Sequence, residues 1–146
     1  MDRKKFIKAS CIACTSFGLL STVLQSCTTV KYTTGNMNEN GLLVDLKEFT
    51  NGKDNYRPYV IVRHDDLQYP ICVYHIKGDE YSALLLRCTH QGAELQVAGE
   101  QLTCPAHGSE FNKQGKVMQG PASADLRSFP VTVANNQLFI DLRKQS

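Results

Sequence analysis

Apolar positions along the chain fall in short runs, not in long helical periods. Leu42 to Leu46, Tyr59 to Arg63, Pro70 to Ile76, Tyr81 to Arg87, Val131 to Ala134 and Leu138 to Leu142 are rich in β-branched, aliphatic or aromatic residues, which is the composition of strands. Between the runs stand Asn51-Gly52, Asp65-Asp66, Gly78-Asp79 and Asn135-Asn136, pairs that favour turns. No stretch shows a sustained 3.6-residue period and no internal repeat is visible, so an all-β domain is expected over residues 42–146. Ser128 to Asp141 should form a hairpin, because an Asn-Asn turn tolerates positive φ. Residues 27–41 are mostly Thr, Asn and Gly with isolated charges and read as a flexible tether. From Thr28 onward that tether would reach roughly 45 to 50 Å when extended.

The pattern at the N-terminus is different. Arg3-Lys4-Lys5-Phe6-Ile7-Lys8 precedes an uncharged run from Ala9 to Val30, which is the layout of an export signal. The run is long enough in principle to span a bilayer, but its many Ser, Thr and Gln residues are unfavourable in hydrocarbon. Leu24-Gln25-Ser26-Cys27 resembles a bacterial lipoprotein cleavage box, which makes residues 1–26 a signal peptide and Cys27 the lipidated residue. An uncleaved anchor helix and an ordinary N-terminal helix are the alternatives. Arg3-Lys4 also resembles a degenerate twin-arginine signal, and a basic general secretory segment explains it equally well. On the first reading the protein is exported and anchored outside the cytoplasmic membrane, since several acyl chains hold a protein stably on a bilayer.

Composition narrows the class. The chain has 146 residues, 42% hydrophobic, 21% charged and 8% aromatic, which suits one packed domain. Net charge is +2, but Arg3, Lys4, Lys5 and Lys8 account for it, and the rest of the chain is nearly electroneutral. No basic patch suited to phosphate is visible, so nucleic acid is excluded as a partner.

Of six cysteines, Cys11, Cys14 and Cys27 lie in the N-terminal segment. Cys72, Cys88 and Cys104 lie in the body, an odd number for a disulfide framework. Cys72 sits in the apolar run Ile71-Cys72-Val73 and is expected to be a buried, inert thiol. His64 and His75 have no partner at ligand spacing. Cys88-Thr89-His90-Gln91-Gly92 and Cys104-Pro105-Ala106-His107-Gly108-Ser109 are another matter, because each supplies one thiolate and one imidazole. The 13 residues between His90 and Cys104 are of hairpin length, so two such loops can face each other across one centre. Thiolate with imidazole suits zinc or an iron-sulfur cluster and argues against magnesium or calcium. A structural zinc module stays open on these residues alone, although zinc fingers usually pair Cys with Cys and His with His.

These two motifs, followed by Gly120-Pro121-Ala122, resemble the Rieske [2Fe-2S] family. The resemblance implies an antiparallel β domain with an inserted cluster-binding subdomain, and one [2Fe-2S] cluster as cofactor. It implies that Cys88 and Cys104 hold a buried iron and that His90 and His107 hold the outer iron, their free ring edges toward solvent. Exchanging two thiolates for neutral imidazoles removes negative charge, so the reduction potential rises. Gly92 and Gly108 suit close backbone approach to the sulfides, Ser109 matches a serine that donates to a sulfide, and Gly120-Pro121-Ala122 matches the loop that covers the cluster. Ala93 and Ala106 stand where quinol-oxidising members carry a loop disulfide, and Phe111 replaces a tyrosine that donates to a cysteine sulfur.

The expected function is one-electron transfer by a membrane-tethered protein between respiratory or redox-enzyme partners. A ferredoxin-like component or small subunit of an oxygenase or reductase is the alternative. A catalytic oxygenase of this family would need a further domain with a 2-His-1-carboxylate iron site, and His64 and His75 are the only other histidines.

Overall fold

The computed structural model describes residues 29–52 and 55–143. The expected signal peptide and Cys27 lie outside the described residues. Among the described residues no helix is long and apolar enough to cross a membrane.

Among the described residues thirteen strands build three sheets. They are β1 (Tyr32–Thr34), β2 (Asn36–Met37), β3 (Gly41–Asp45), β4 (Tyr59–Arg63), β5 (Ile71–Lys77), β6 (Glu80–Leu85), β7 (Gln96–Ala98), β8 (Gln101–Thr103), β9 (Glu110–Asn112), β10 (Val117–Gln119), β11 (Ser128–Phe129), β12 (Val131–Ala134) and β13 (Gln137–Asp141). A middle sheet has the order β1-β4-β5-β6-β11, an outer sheet β12-β13-β3-β2 and a cluster sheet β10-β9-β8-β7. All pairings are antiparallel except β1 with β4.

The middle sheet is apolar on both faces, which is why its strands read as unbroken hydrophobic runs. Side chains alternate along a strand, so β4 sends Val60 and Val62 to one core and Tyr59 and Ile61 to the other. β5 does the same with Ile71 and Val73 on one side and Cys72 and Tyr74 on the other. The first core joins the outer sheet through Leu42, Val44, Leu138 and Ile140. The second joins the cluster sheet through Leu95, Leu102 and Phe111 and encloses Cys88 and Cys104. Within the cluster sheet Val97 lies opposite Leu102, Leu102 opposite Phe111 and Phe111 opposite Val117. One apolar row thus crosses four short strands.

Two expectations are corrected. The stretch 27–41 is no free tether where it is described, because β1 pairs with β4 and β2 with β3. Both are short edge strands held through backbone pairing, and of their side chains only Met37 packs on the first core, so they carry little apolar signal. The hairpin also starts later than Ser128. Phe129 pairs with Ala83 in the middle sheet, and Pro130, which has no N–H for a ladder, marks the crossing into the outer sheet. β12 and β13 then turn through Asn135 and Asn136 at φ 50° and 61°, as the pair demands.

Candidate metal centre

β6 runs on through Leu86 and Arg87 into the first loop, 88–93, and β8 runs into the second, 104–109. The loops share one backbone frame. The Cys88 N–H donates to the Ala93 carbonyl at 2.8 Å and the Gly92 N–H to the Cys88 carbonyl at 2.9 Å. The Cys104 N–H donates to the Ser109 carbonyl at 2.8 Å and the Gly108 N–H to the Cys104 carbonyl at 2.9 Å. Closing each turn needs positive φ at its glycine, 78° at Gly92 and 76° at Gly108, where a side chain is strained. The unequal spacings Cys-x-His and Cys-x-x-His therefore sit in equivalent turns.

Each loop is clamped from outside. The Tyr69 hydroxyl donates to the Gly92 carbonyl at 2.6 Å, and the Thr89 hydroxyl to the Ala124 carbonyl at 2.6 Å. The Gln119 amide donates to the Gly108 carbonyl at 3.2 Å. Ser109 is wholly buried, and its hydroxyl oxygen accepts from the Ala122 N–H at 3.0 Å, which ties loop 120–124 over the site. Sequence reasoning missed Tyr69, Thr89 and Gln119 as clamps. Their hydrogen bonds go to backbone carbonyls far along the chain, and no local pattern announces them.

The four donors come as two pairs. Cys88 and Cys104 are 1% and 2% exposed, and the Cys88 thiol hydrogen-bonds to the Cys104 sulfur. Burial raises the Cys104 thiol pKa, but the His107 and Ala106 backbone N–H groups and Cys88 outweigh it, and the net shift is downward. A thiol so placed is readily held as thiolate, the form that binds metal. His90 and His107 are exposed, and their ring centroids lie 4.9 Å apart at an interplanar angle of 86°. Among the described residues no three His, Cys, Asp or Glu side chains group as they would around one ion. Two sulfurs inside and two nitrogens outside fit a two-iron cluster better than a single tetrahedral zinc.

The remaining sulfur and imidazole groups lie elsewhere. Cys72 is fully buried, and burial pushes its thiol far above the ordinary value. His75 packs between Tyr56 and Tyr81, with ring centroids at 4.5 and 5.0 Å, and His64 faces Asp66 at 3.4 Å. Cys72, Cys88 and Cys104 are free thiols. Phe111 is fully buried in the core that also holds Cys88 and Cys104.

The sequence model of the Rieske [2Fe-2S] domain matches residues 45–130, more than half of the chain. The protein belongs to the Rieske [2Fe-2S] domain family, and its cofactor is one [2Fe-2S] cluster. It is 38% identical over 55 residues to the cytochrome b6-f complex iron-sulfur subunit 1 of Synechocystis, a match covering 36% of this chain and 31% of that one. It is 29% identical over 76 residues to the ferredoxin component of the naphthalene 1,2-dioxygenase system of Pseudomonas putida, covering 49% and 72%. The crystal structure of the cyanobacterial plasma membrane Rieske protein PetC3 from Synechocystis is similar, with a TM-score of 0.51 and 28% identity over 57% of this chain and 86% of that one. The chain thus spans under a third of the b6-f subunit and nearly three quarters of the ferredoxin.

Proposed function

We propose that Cys88 and Cys104 hold the inner iron and His90 and His107 the outer one, in a membrane-anchored one-electron carrier that serves respiratory or redox-enzyme partners. The observation that carries this reading is the split of the donor set, thiols buried and hydrogen-bonded, imidazoles exposed and in contact. When bound, the cluster supplies a site that takes up and releases one electron at a time. The protein's part is to exclude water from the sulfurs through Leu95, Leu102 and Phe111, and to present two imidazole edges to a partner. Ser109, fixed by Ala122, stands ready to donate its proton toward a sulfide.

Leu24-Gln25-Ser26-Cys27 after a basic start supports export and a lipid anchor at Cys27, as does the likeness to a plasma membrane Rieske protein. The purified protein should contain iron and acid-labile sulfide in equal amounts, about two of each per chain. Stoichiometric zinc without visible absorption would overturn the ligand assignment. Labelled fatty acid should enter the wild type and not Cys27→Ala, which should leave the membrane fraction.

A second reading, a ferredoxin-like component of an oxygenase or reductase, is favoured by the extent of the match to the naphthalene dioxygenase ferredoxin. A protein found unlipidated in the cytoplasm would select it.

A further inference from the structure

The chain enters the folded body at the end opposite the cluster loops. Tyr32 on β1 lies beside Ile61 on β4, and the Ile61 N–H donates to the Lys31 carbonyl at 2.9 Å. One step earlier, Val30 packs on the core that encloses the ligand cysteines and shares a cleft with Ile61, Leu95 and Val97. The Thr29 carbonyl accepts from the Arg57 guanidinium at 3.4 Å. Thr29 and Val30 are therefore level with Tyr59, and Tyr59 pairs with Tyr74. The Tyr74 hydroxyl reaches the Gly99 carbonyl at 3.0 Å, in the turn between β7 and β8. That turn is the far end of the cluster sheet.

Two independent paths measure the distance from this level to the site. Along the middle sheet the chain runs back from Tyr74 to Tyr69, which clamps Gly92. Along the cluster sheet it runs from Gly99 to Cys104. Each is five residues, and at about 3.3 Å per extended residue each spans roughly 16 Å. His90 and His107 lie at the far end of both.

Any anchor in the segment before Thr29 is thus attached at the base. The inference rests on the anchor proposed above: between Cys27 and Thr29 stands only Thr28, and two peptide steps extend at most about 7 Å. A long tether would let the domain turn over, but β1 and β2 take up that length in strand pairing. We propose that the cluster tip faces away from the membrane and that its electron partner is a protein met from the aqueous side, not a quinol bound at membrane depth. The tip also limits the partner's chemistry. Loops 88–93, 104–109 and 117–124 contain no Asp, Glu, Lys or Arg, and they expose Pro105, Ala106, Met118 and Pro121. The matching surface is uncharged and partly apolar, so association should depend little on ionic strength.

The test uses the mature lipidated holoprotein in vesicles that contain a quencher-bearing lipid. Met118→Cys at the tip and Glu100→Cys beside the Gly99 turn are labelled separately with a fluorophore. The label at 100 should be quenched several-fold more than the label at 118, and a long Gly-Ser insert between Thr28 and Thr29 should abolish the difference. Equal quenching at native length, or stronger quenching at 118, overturns the proposal. So does a difference that survives the insert, because the docked entry strand would then not set the orientation. If the protein fails to float with the vesicles, the anchor itself is refuted and the orientation falls with its premise; floating with the wrong quenching order refutes the orientation alone.

Discussion

The body and the cluster sheet differ in what holds them together. The body has two sheets whose facing side chains form a continuous core, with Phe49, Val60, Val62, Ile71, Val73, Leu138 and Ile140 at 0% exposure. The cluster sheet has strands of three residues and one apolar row, and its two loops begin at Cys88 and Cys104, the thiols proposed to hold the cluster. The first is stabilised by burial, the second by burial and ligation together. A metal-binding region of this kind is expected to gain part of its folding free energy from the metal.

The largest test of that contrast is Cys104→Ser. It should abolish iron binding, and hydrogen exchange should show amides of residues 95–119 losing protection while those of β4, β5 and β13 keep theirs. Loss of protection throughout would mean that the two regions form one cooperative unit. Cys72→Ala, on the same core but away from the ligands, should keep its full iron content. Next in size, Ile140→Ala removes a buried side chain from the body and should cost about 3 kcal/mol in denaturant unfolding. Its visible and electron paramagnetic resonance spectra should match the wild type, and a changed spectrum would show that strain crosses the middle sheet.

The ease of reading the chain follows the same division. The runs at β4 and β5 were legible because a strand buried on both faces is apolar at nearly every position. β7 to β10 were not, because their apolar row runs across strands and gives each only one or two core positions. β1 and β2 were missed for a related reason: Tyr32-Thr33-Thr34 and Asn36-Met37 are held mainly by backbone pairing, and the single core contact of Met37 is too little to make an apolar run. The candidate ligands stood out because thiolate with imidazole is rare chemistry at any spacing. Tyr69, whose hydroxyl holds the first loop, is an ordinary residue before a proline until the fold brings it to Gly92.

Three smaller predictions probe the site itself. Ser109→Ala removes the acceptor for Ala122 and the hydroxyl proposed to face a sulfide. A hydrogen bond to a charged group contributes roughly 1.5 to 3 kcal/mol, and for one electron about 1.4 kcal/mol corresponds to 59 mV. Protein-film voltammetry should show a fall of that order, and an unchanged potential would leave Ser109 a structural residue only. The wild-type potential should lie within the Rieske range of about −150 to +300 mV, below its top. Phe111→Tyr adds a donor toward a ligand sulfur and should raise the potential by tens of millivolts, less than the full value of such a bond because of screening. An unchanged or lower potential would place the new hydroxyl away from the ligand sulfurs.

The shared frame of the two loops bears on how such a protein changes over generations. Each turn is closed by a cysteine and a glycine through main-chain groups, and the exposed positions Gln91, Pro105 and Ala106 contribute no backbone group to either closure. Pro105, which has no N–H to give, is tolerated for that reason. Mutation can therefore rewrite the face that a partner recognises while the turns that carry the ligands stay as they are. His90 and His107 serve metal and partner alike and stay fixed, while selection for a new partner acts on the exposed residues around them, so a lineage can drift from one electron acceptor to another without passing through a form that has lost its cofactor.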